Sequence, residues 1–401
     1  MKRSFVLTSI DEAMLSAISF GISLAFIRVG DKSDFGIYTL VMGVILLIRG
    51  VENAIVITPL TTHGARLERI EREHFVGAVE RLQALMGVAG AMLLAAGILF
   101  RGGPGSVELA GAAAFATFGT WLREFQRSVW LLEERNGQAL IGDAAYAVLT
   151  MIGLIIVWLV EGTVTTTTVL FVTGCGAFTP GVIGLARRGS GPHAALRPTA
   201  RVLYEQGRWT LPGTAVIWGQ NSGYAYLVSL LVDNAAVATL ATARLFVMPV
   251  MLLLTAWGRI FLPRAGGMIA RDASLELRRL ATRGMAALVA IAVPYLGAVA
   301  LFFWLGGMRY LSAKYQGVGP YVAWWGAFAL VAIVRSAASN ALLAHHAFRD
   351  LFSYAVIAAI VSLALVTTLI PVVGLAGAIG GLVVGEAILV VLTWRRLLQV
   401  R

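Results

Sequence analysis

Twelve apolar stretches of about twenty residues constrain the fold of this 401-residue chain more than any other feature. A transmembrane α-helix needs about 20 mostly apolar residues to cross the hydrocarbon core of a bilayer. Hydrophobic residues make up 58% of the chain and charged residues 13%, which is about half the charged share of soluble domains. The sequence therefore predicts an all-α polytopic membrane protein with twelve transmembrane helices and little mass outside the bilayer.

The predicted spans form two groups of six, separated by the longest polar segment. The first group covers residues 6–28, 37–60, 77–100, 107–126, 139–160 and 164–186. The second group covers residues 207–232, 236–262, 281–305, 318–342, 351–370 and 373–394. We therefore expect an N-terminal six-helix bundle over residues 1–186, a cytoplasmic linker over 187–206 and a C-terminal six-helix bundle over 207–401.

The two halves resemble each other in sequence. Asp31 and Asp233 each follow the first span of a half, and the segment 120–149 resembles 331–360, which aligns Arg123 with Arg335. Six helices per copy would give both copies the same orientation, with a symmetry axis along the membrane normal. Chance similarity between apolar helices is the alternative. A repeat predicts two pseudo-symmetric bundles around a central cavity, an arrangement suited to alternating access.

The basic residues are distributed unequally between the predicted loops. With the N-terminus inside, 23 of them fall on the cytoplasmic side and five on the opposite side, namely Arg28, Lys32, Arg101, Arg309 and Lys314. Short loops rich in arginine and lysine stay in the cytoplasm. We therefore expect a multi-pass protein of the bacterial cytoplasmic (inner) membrane with both termini cytoplasmic. The net charge of +11 does not indicate nucleic-acid binding, because no soluble face gathers these residues.

Several kinds of chemistry find no support in the sequence. Cys175 is the single cysteine, which excludes intrachain disulfides and cysteine-based metal sites. No nucleotide-binding P-loop occurs, and no Ser/His/Asp or paired-carboxylate constellation stands out. The sequence therefore predicts no catalytic residue, no metal site and no cofactor.

Polar side chains inside the predicted spans are the candidate substrate-binding residues, because a charge at bilayer depth is costly and usually functional. Residues three or four apart share a helix face, so Arg49, Glu52 and Asn53 form one polar stripe. The full set is Arg49, Glu52, Asn53, Arg123, Asn221, Tyr224, Arg244 and Arg335. Coupling to an ion gradient would need an intramembrane carboxylate, for which the candidates are Glu52, Asp11 and Glu386.

Structural roles are the alternatives for these residues. Arg49 could form an ion pair with Glu52. Arg123 could be an interfacial residue, Arg244 could extend toward the outer surface, and Asn221 could serve helix packing. As a set, however, the buried basic residues outnumber the acidic ones. Because arginine clamps phosphate through its planar guanidinium, an apolar cavity with this bias predicts a ligand that has both a greasy part and a phosphate.

Four stretches carry a resemblance to a known family. They are SIDEAMLSAISFGISLAFIR, DFGIYTLVMGVILLIRGVENAIVITPL, WLREFQRSVWLLEERN and NSGYAYLVSLLVDNAAVATLATARLFVMPVMLLL. They resemble the bacterial polysaccharide flippases, the Wzx-like branch of the MOP exporter superfamily that also includes the MATE exporters. The resemblance covers essentially the whole chain. It implies twelve helices in two bundles, with central basic residues at Arg49, Arg123, Arg244 and Arg335.

This resemblance also implies a function. Relatives of this type move undecaprenyl-pyrophosphate-linked oligosaccharide units from the inner to the outer leaflet, for export of O-antigen, capsule or exopolysaccharide. The expected partners are the lipid-linked oligosaccharide, membrane lipids and other polysaccharide-assembly proteins. Three alternatives stay open: a MATE-like cation or drug antiporter, a membrane glycan-assembly enzyme, and a scaffold that transports nothing.

Overall fold

The computed structural model describes residues 2–188, 195–269, 271, 273–307, 309 and 312–399. Within these ranges, the side chains of residues 2–13, 187, 188, 209 and 274 are outside the description. The side chain of Asp11, one of the three ion-coupling candidates, therefore lies outside the described residues.

Fourteen α-helices make up nearly all of the described chain, and no β-strand occurs in it. The helices of the first half are α1 (Lys2–Val29), α2 (Lys32–Glu52), α3 (Thr58–Gly64), α4 (Arg69–Arg101), α5 (Ser106–Leu132), α6 (Asn136–Glu161) and α7 (Thr166–Arg188). Those of the second half are α8 (Leu196–Leu231), α9 (Asn234–Leu245), α10 (Met248–Ile269), α11 (Ser274–Trp304), α12 (Gly319–Ala344), α13 (Phe348–Val373) and α14 (Leu375–Gln399). A π-helical turn, Asn53–Ile57, joins α2 to α3, and a 3₁₀ turn, Ala313–Tyr315, precedes α12.

Every predicted span coincides with a helix or with a pair of helices. Eight helical segments of the described chain are long and apolar enough to cross a membrane, and α9 with α10 makes a ninth that is bent by 57°. Pro249 accounts for this bend, because proline has no N–H to donate to the carbonyl four residues earlier. The remaining three predicted spans coincide with α1, α5 and α8. The predicted all-α membrane fold is confirmed.

The chain divides into two compact units, Met1–Ala215 and Val216–Arg401. The boundary falls inside α8, which begins at Leu196 and continues to Leu231. Residues 196–206 of the predicted linker are thus helical, whereas residues 189–194 lie outside the described residues. We call the two parts the N-terminal unit and the C-terminal unit.

Both units pack their helices in the same order. In the N-terminal unit α5 packs against α4 and α7, and α7 packs against α6. In the C-terminal unit α12 packs against α11 and α14, and α14 packs against α13. Close approach depends on small residues, as where Gly119 of α5 faces the backbone of Gly174 in α7. Each unit therefore contains the same four-helix core.

The turn between α5 and α6 has the same backbone conformation as the turn between α12 and α13. Glu134 and His346, which are 212 residues apart in the chain, have φ angles of 59° and 57° and are the two non-glycine residues with positive φ in the described chain. Helices α6 and α13 are each followed by a glycine with positive φ, Gly162 and Gly374, again 212 residues apart, although their ψ angles differ (-7° and -146°). A positive φ is uncommon for residues other than glycine, so the match between Glu134 and His346 is the informative one. Their shared positions therefore indicate a repeat and not chance similarity.

An aspartate is the N-cap residue of both α2 and α9, the helices that follow α1 and α8. Asp31 accepts hydrogen bonds from the N–H groups of Ser33 and Asp34 at 2.8 and 3.3 Å. Asp233 accepts one from the N–H of Ala236 at 2.6 Å. An N-cap aspartate satisfies amide donors that have no partner inside the helix. The sequence match between these two positions therefore has a structural basis.

Candidate functional site

Five charged side chains form an ion-pair group in the N-terminal unit, which we call the N-terminal cluster: Arg49, Arg123, Glu124, Arg127 and Asp143. Arg49 Nη2 donates to Glu124 Oε2 at 2.7 Å. Arg123 Nη1 donates to Asp143 Oδ1 at 2.8 Å, and Arg127 Nε donates to Asp143 Oδ2 at 2.7 Å. Glu124 also lies 3.6 Å from Arg123 and 3.5 Å from Arg127. Two carboxylates therefore bridge three arginines, which come from α2 and α5.

Sequence reasoning missed both acidic members of this cluster. The available signal was the tendency of intramembrane arginines to have acidic partners. Glu124 stands directly after Arg123 in the sequence, and Asp143 lies on the following helix. Arg49 forms its ion pair with Glu124 and not with Glu52. The sequence predicted an excess of buried basic residues. In this cluster, three arginines and two carboxylates leave an excess of one positive charge.

Arg123 is enclosed on several sides. Its side chain is 5% exposed, and that of its partner Asp143 is 1% exposed. The guanidinium also lies 4.2 Å from the centre of the Tyr146 ring, within cation–π distance. Arg49 is more open, with 33% of its side chain exposed. Arg49 is therefore the arginine of this cluster that a ligand would reach more easily.

Glu52 is a fully buried carboxylate beside the N-terminal cluster. Gln83 Nε2 donates to Glu52 Oε1 at 3.3 Å and also lies 3.2 Å from the carbonyl oxygen of Trp121. Glu52 Oε2 has no hydrogen-bond partner among the described residues. Buried polar groups are nearly always satisfied in native proteins. Glu52 therefore has hydrogen-bonding capacity that its own unit does not use.

Regular α-helical geometry breaks at the end of the polar stripe formed by Arg49, Glu52 and Asn53. Asn53 is exposed and begins the π-helical turn, which ends just before α3. Pro59, near the start of α3, has no N–H to donate to the carbonyl of Ile55, so regular α-helical bonding cannot continue there. π-helical turns occur frequently at functional sites. The polar stripe of α2 thus ends at a locally irregular backbone.

A pocket of about 210 Å³ lies in the C-terminal unit, and we call it the C-terminal pocket. It lies between α8, α12, α13 and α14 and is lined by Ile217, Gln220, Asn221, Phe328, Arg335, Ser362, Leu382, Gly385 and Glu386. Arg335 Nε donates a short hydrogen bond to Glu386 Oε2 at its wall. Three residues singled out from the sequence, Asn221, Arg335 and Glu386, therefore meet at one pocket.

Arg244 and Tyr224 are not among the residues that line this pocket. The Arg244 guanidinium lies 5.3 Å from the centre of the Trp325 ring, and its Nη1 donates to the carbonyl of Asn221 at 3.2 Å. Tyr224 is buried and packs edge-on against Trp325, with ring centres 5.6 Å apart. Tyr224 does not line the pocket. Arg244 therefore supports the backbone that presents Asn221, whereas Tyr224 packs against Trp325.

Arg123 and Arg335 occupy equivalent places in the two units, 212 residues apart, and both are ion-paired. Their partners are not equivalent, because Asp143 comes from α6 whereas Glu386 comes from α14. The repeat therefore preserves the arginine and changes the carboxylate. Of the eight candidate residues, Arg49, Glu52, Asn53 and Arg123 belong to the N-terminal unit and the other four to the C-terminal unit.

Several solved structures resemble this chain in fold. No family model and no curated protein matches the sequence. Among solved structures, MurJ, a lipid II flippase in an inward closed conformation, has a TM-score of 0.78 at 12% identity and covers 98% of this chain and 87% of its own. An inward-facing multidrug resistance MATE family transporter of the MOP superfamily has a TM-score of 0.73 at 14% identity, with coverage of 99% and 97%. The chain has the fold of the MOP superfamily transporters.

A third neighbour with this MOP fold is a transporter from Pyrococcus furiosus for which reversed polarity of the binding pocket suggests a different function. Its TM-score is 0.65 at 15% identity, with coverage of 99% of this chain and 95% of its own. These structural neighbours are membrane transporters and flippases rather than enzymes. The apolar helices and the MOP fold together identify a multi-pass membrane protein.

Proposed function

We propose that this protein is a flippase that moves prenyl-pyrophosphate-linked oligosaccharide units across a membrane by alternating access. The observation that carries the proposal is the C-terminal pocket, where an arginine and two amide side chains stand beside apolar walls. A lipid-linked sugar has the matching three parts: an anionic pyrophosphate, hydroxyl groups and a hydrocarbon tail. The likeness to a lipid II flippase and the resemblance of four sequence stretches to polysaccharide flippases support the same substrate class.

Arg335 is the proposed anchor for pyrophosphate. In the free protein it is paired with Glu386, which offsets the cost of holding an unpaired charge in this partly buried position. A pyrophosphate offers more oxygens to the guanidinium than one carboxylate does, so it can replace Glu386 as the partner. Loading of substrate is then an exchange of anions at Arg335. Arg335 would not have to stand unpaired at any stage.

Asn221 and Gln220 are the proposed contacts for sugar hydroxyls. Both line the pocket, and amides can donate and accept hydrogen bonds at once. Ile217, Phe328 and Leu382 supply the apolar side of the same pocket. Arg244 acts through the backbone of Asn221 and is therefore a positioning residue in this scheme.

The N-terminal unit contributes Arg49, Asn53 and Glu52 to the proposal. Arg49 is partly exposed and already bound to a carboxylate, so it can take part in the same kind of anion exchange as Arg335. Asn53 is exposed at the π-helical turn and offers a further amide. Glu52 is the proposed site of ion coupling because one of its oxygens is buried without a partner.

We place the protein in the bacterial cytoplasmic (inner) membrane with both termini cytoplasmic. The proposal rests on the excess of basic residues in alternate loops of the twelve-span topology. In this orientation the substrate moves from the inner to the outer leaflet. Other polysaccharide-assembly proteins are the expected partners, because the oligosaccharide must be built before export and joined afterwards.

A cation antiporter of the MATE type is the second candidate. Glu52 favours it, because a buried carboxylate with an unpartnered oxygen can receive a proton or contact a cation. The structural likeness to a MATE family transporter, at a TM-score of 0.73, also supports this candidate. The arginine at the C-terminal pocket favours an anionic substrate and is the reason to rank the flippase first.

Proteoliposomes containing the wild-type protein separate the two candidates. One arm measures leaflet exchange of a fluorescent prenyl-pyrophosphate oligosaccharide. The other arm measures uptake of a fluorescent cationic dye that is driven by an imposed proton gradient. The flippase proposal expects movement of the lipid-linked sugar and none of the dye. Dye uptake without movement of the sugar would contradict it and establish the antiporter instead.

A further inference from the structure

One end of the C-terminal unit carries a concentration of arginine. Residues 264–283, which connect α10 to α11 and begin α11, hold five arginines and two acidic residues. The segment at the same place in the N-terminal unit, 63–81, holds four arginines and four glutamates. Some of those charges pair within the segment, as Arg69 does with Glu73 at 3.1 Å. The two units therefore share their fold but differ in the charge of this end.

Contacts between helix ends bring further arginines to the same place. Arg278, near the start of α11, donates to the carbonyl of Leu398 near the end of α14 at 3.2 Å. Arg396, also near the end of α14, donates to Asp350 in the first turn of α13 at 2.6 Å. The beginnings of α11 and α13 and the end of α14 are therefore adjacent. The hydrogen bonds of Arg278 and Arg396 connect these helix ends.

Five exposed arginines around these contacts make up what we call the arginine surface: Arg264, Arg279, Arg283, Arg349 and Arg395. In the part of the chain that the structure describes, none of the five forms an ion pair with a carboxylate. Arg279 and Arg283 are four residues apart and share one exposed face of α11. Exposed apolar side chains stand among them on the same helix ends: Leu275, Phe348 and Leu398.

We propose that the arginine surface binds the phosphates of anionic phospholipids at one face of the membrane. The ends of membrane-spanning helices lie at the depth of lipid headgroups, and clusters of four to eight basic residues there attract anionic lipids. Guanidinium groups bind phosphate in a bidentate manner, and the exposed apolar side chains reach toward the acyl chains. The proposal is independent of the transported substrate, since no member of the arginine surface lines the C-terminal pocket.

The test compares lipid binding by two double variants in detergent solution. Native mass spectrometry would measure the binding of dioctanoyl phosphatidylglycerol, with dioctanoyl phosphatidylcholine as the uncharged comparison. R279Q/R283Q removes two members of the arginine surface. R69Q/R201Q is the matched control, because it removes two exposed arginines of the N-terminal unit that pair with Glu73 and Glu205.

Wild-type protein should bind phosphatidylglycerol in preference to phosphatidylcholine. Each arginine at an anionic surface contributes about 1 kcal/mol, so R279Q/R283Q should weaken phosphatidylglycerol binding by roughly 25-fold at low salt. The control R69Q/R201Q should change it by less than about threefold, because those charges are already paired. R279K/R283K should retain most of the binding if it folds like the wild type. Equal loss in both glutamine variants, or equal binding of the two lipids by the wild type, would overturn the proposal.

Discussion

Asp143 is the residue whose loss should destabilise the N-terminal unit most among its polar groups. Its carboxylate is 1% exposed and accepts from Arg123 at 2.8 Å and from Arg127 at 2.7 Å. Asp143→Asn keeps the shape and removes the charge, which leaves Arg123 buried with only Glu124 at 3.6 Å. Asn also has one acceptor oxygen where the carboxylate has two.

The expected cost follows from the burial of this pair. Removing one partner of a buried ion pair costs about 3–5 kcal/mol, because the other charge stays behind without compensation. Arg127 keeps a contact with Glu124 at 3.5 Å, so the lower end of that range, about 3 kcal/mol, is expected. For a unit of this size, about 3 kcal/mol corresponds to a fall in melting temperature of roughly 6–12 °C.

Thermal unfolding in detergent, followed by tryptophan fluorescence, measures this shift. Asp350→Asn is the control, because its pair with Arg396 is partly exposed, at 33% and 40%, and such pairs contribute at most about 1 kcal/mol. A fall of under about 2 °C for Asp143→Asn, or one no larger than that of Asp350→Asn, would refute the view that the N-terminal cluster stabilises this unit.

Two further predictions concern carboxylates that the proposed transport cycle uses. Glu386→Gln should tighten binding of a soluble prenyl pyrophosphate analogue several-fold in calorimetry, because Arg335 would lose its competing carboxylate. Weaker binding by this variant would argue against anion exchange at Arg335. Glu52→Gln should leave the melting temperature within about 2 °C of wild type, since the amide can keep the contact with Gln83, while abolishing any stimulation of transport by a proton gradient. A variant that keeps full stimulation would remove Glu52 from the coupling scheme.

The twelve helical spans could be predicted from the sequence because each depends on a local run of apolar residues. The bend between α9 and α10 and the π-helical turn were not predicted, although each lies beside a proline, Pro249 or Pro59. Proline marks a missing backbone donor in the sequence. Whether the helix then bends or forms a π-helical turn depends on its packing against neighbouring helices. Length and hydropathy alone therefore do not fix the path of a span.

The ion pairs of the candidate site could be predicted only in part. Arg49 and Arg335 were identified because a charge inside an apolar run is conspicuous in the sequence. Their partners were harder to assign, because Glu124 and Glu386 lie 75 and 51 residues away along the chain. Only the packing of α2 on α5 and of α12 on α14 brings them into contact. Pairing between helices is a tertiary property, so it required the structure.

The most direct test of the flippase proposal is leaflet exchange of a fluorescent prenyl-pyrophosphate oligosaccharide in proteoliposomes, compared between wild type, Arg335→Gln and the exposed control Arg69→Gln. Hydrogen bonds to charged groups contribute about 1.5–3 kcal/mol, so Arg335→Gln should slow exchange by roughly 10- to 150-fold. Arg69→Gln should exchange at the wild-type rate, because its ion pair with Glu73 is on the surface. Exchange by Arg335→Gln at the wild-type rate would contradict the assignment of the C-terminal pocket to pyrophosphate, and no exchange by the wild type would contradict the flippase itself.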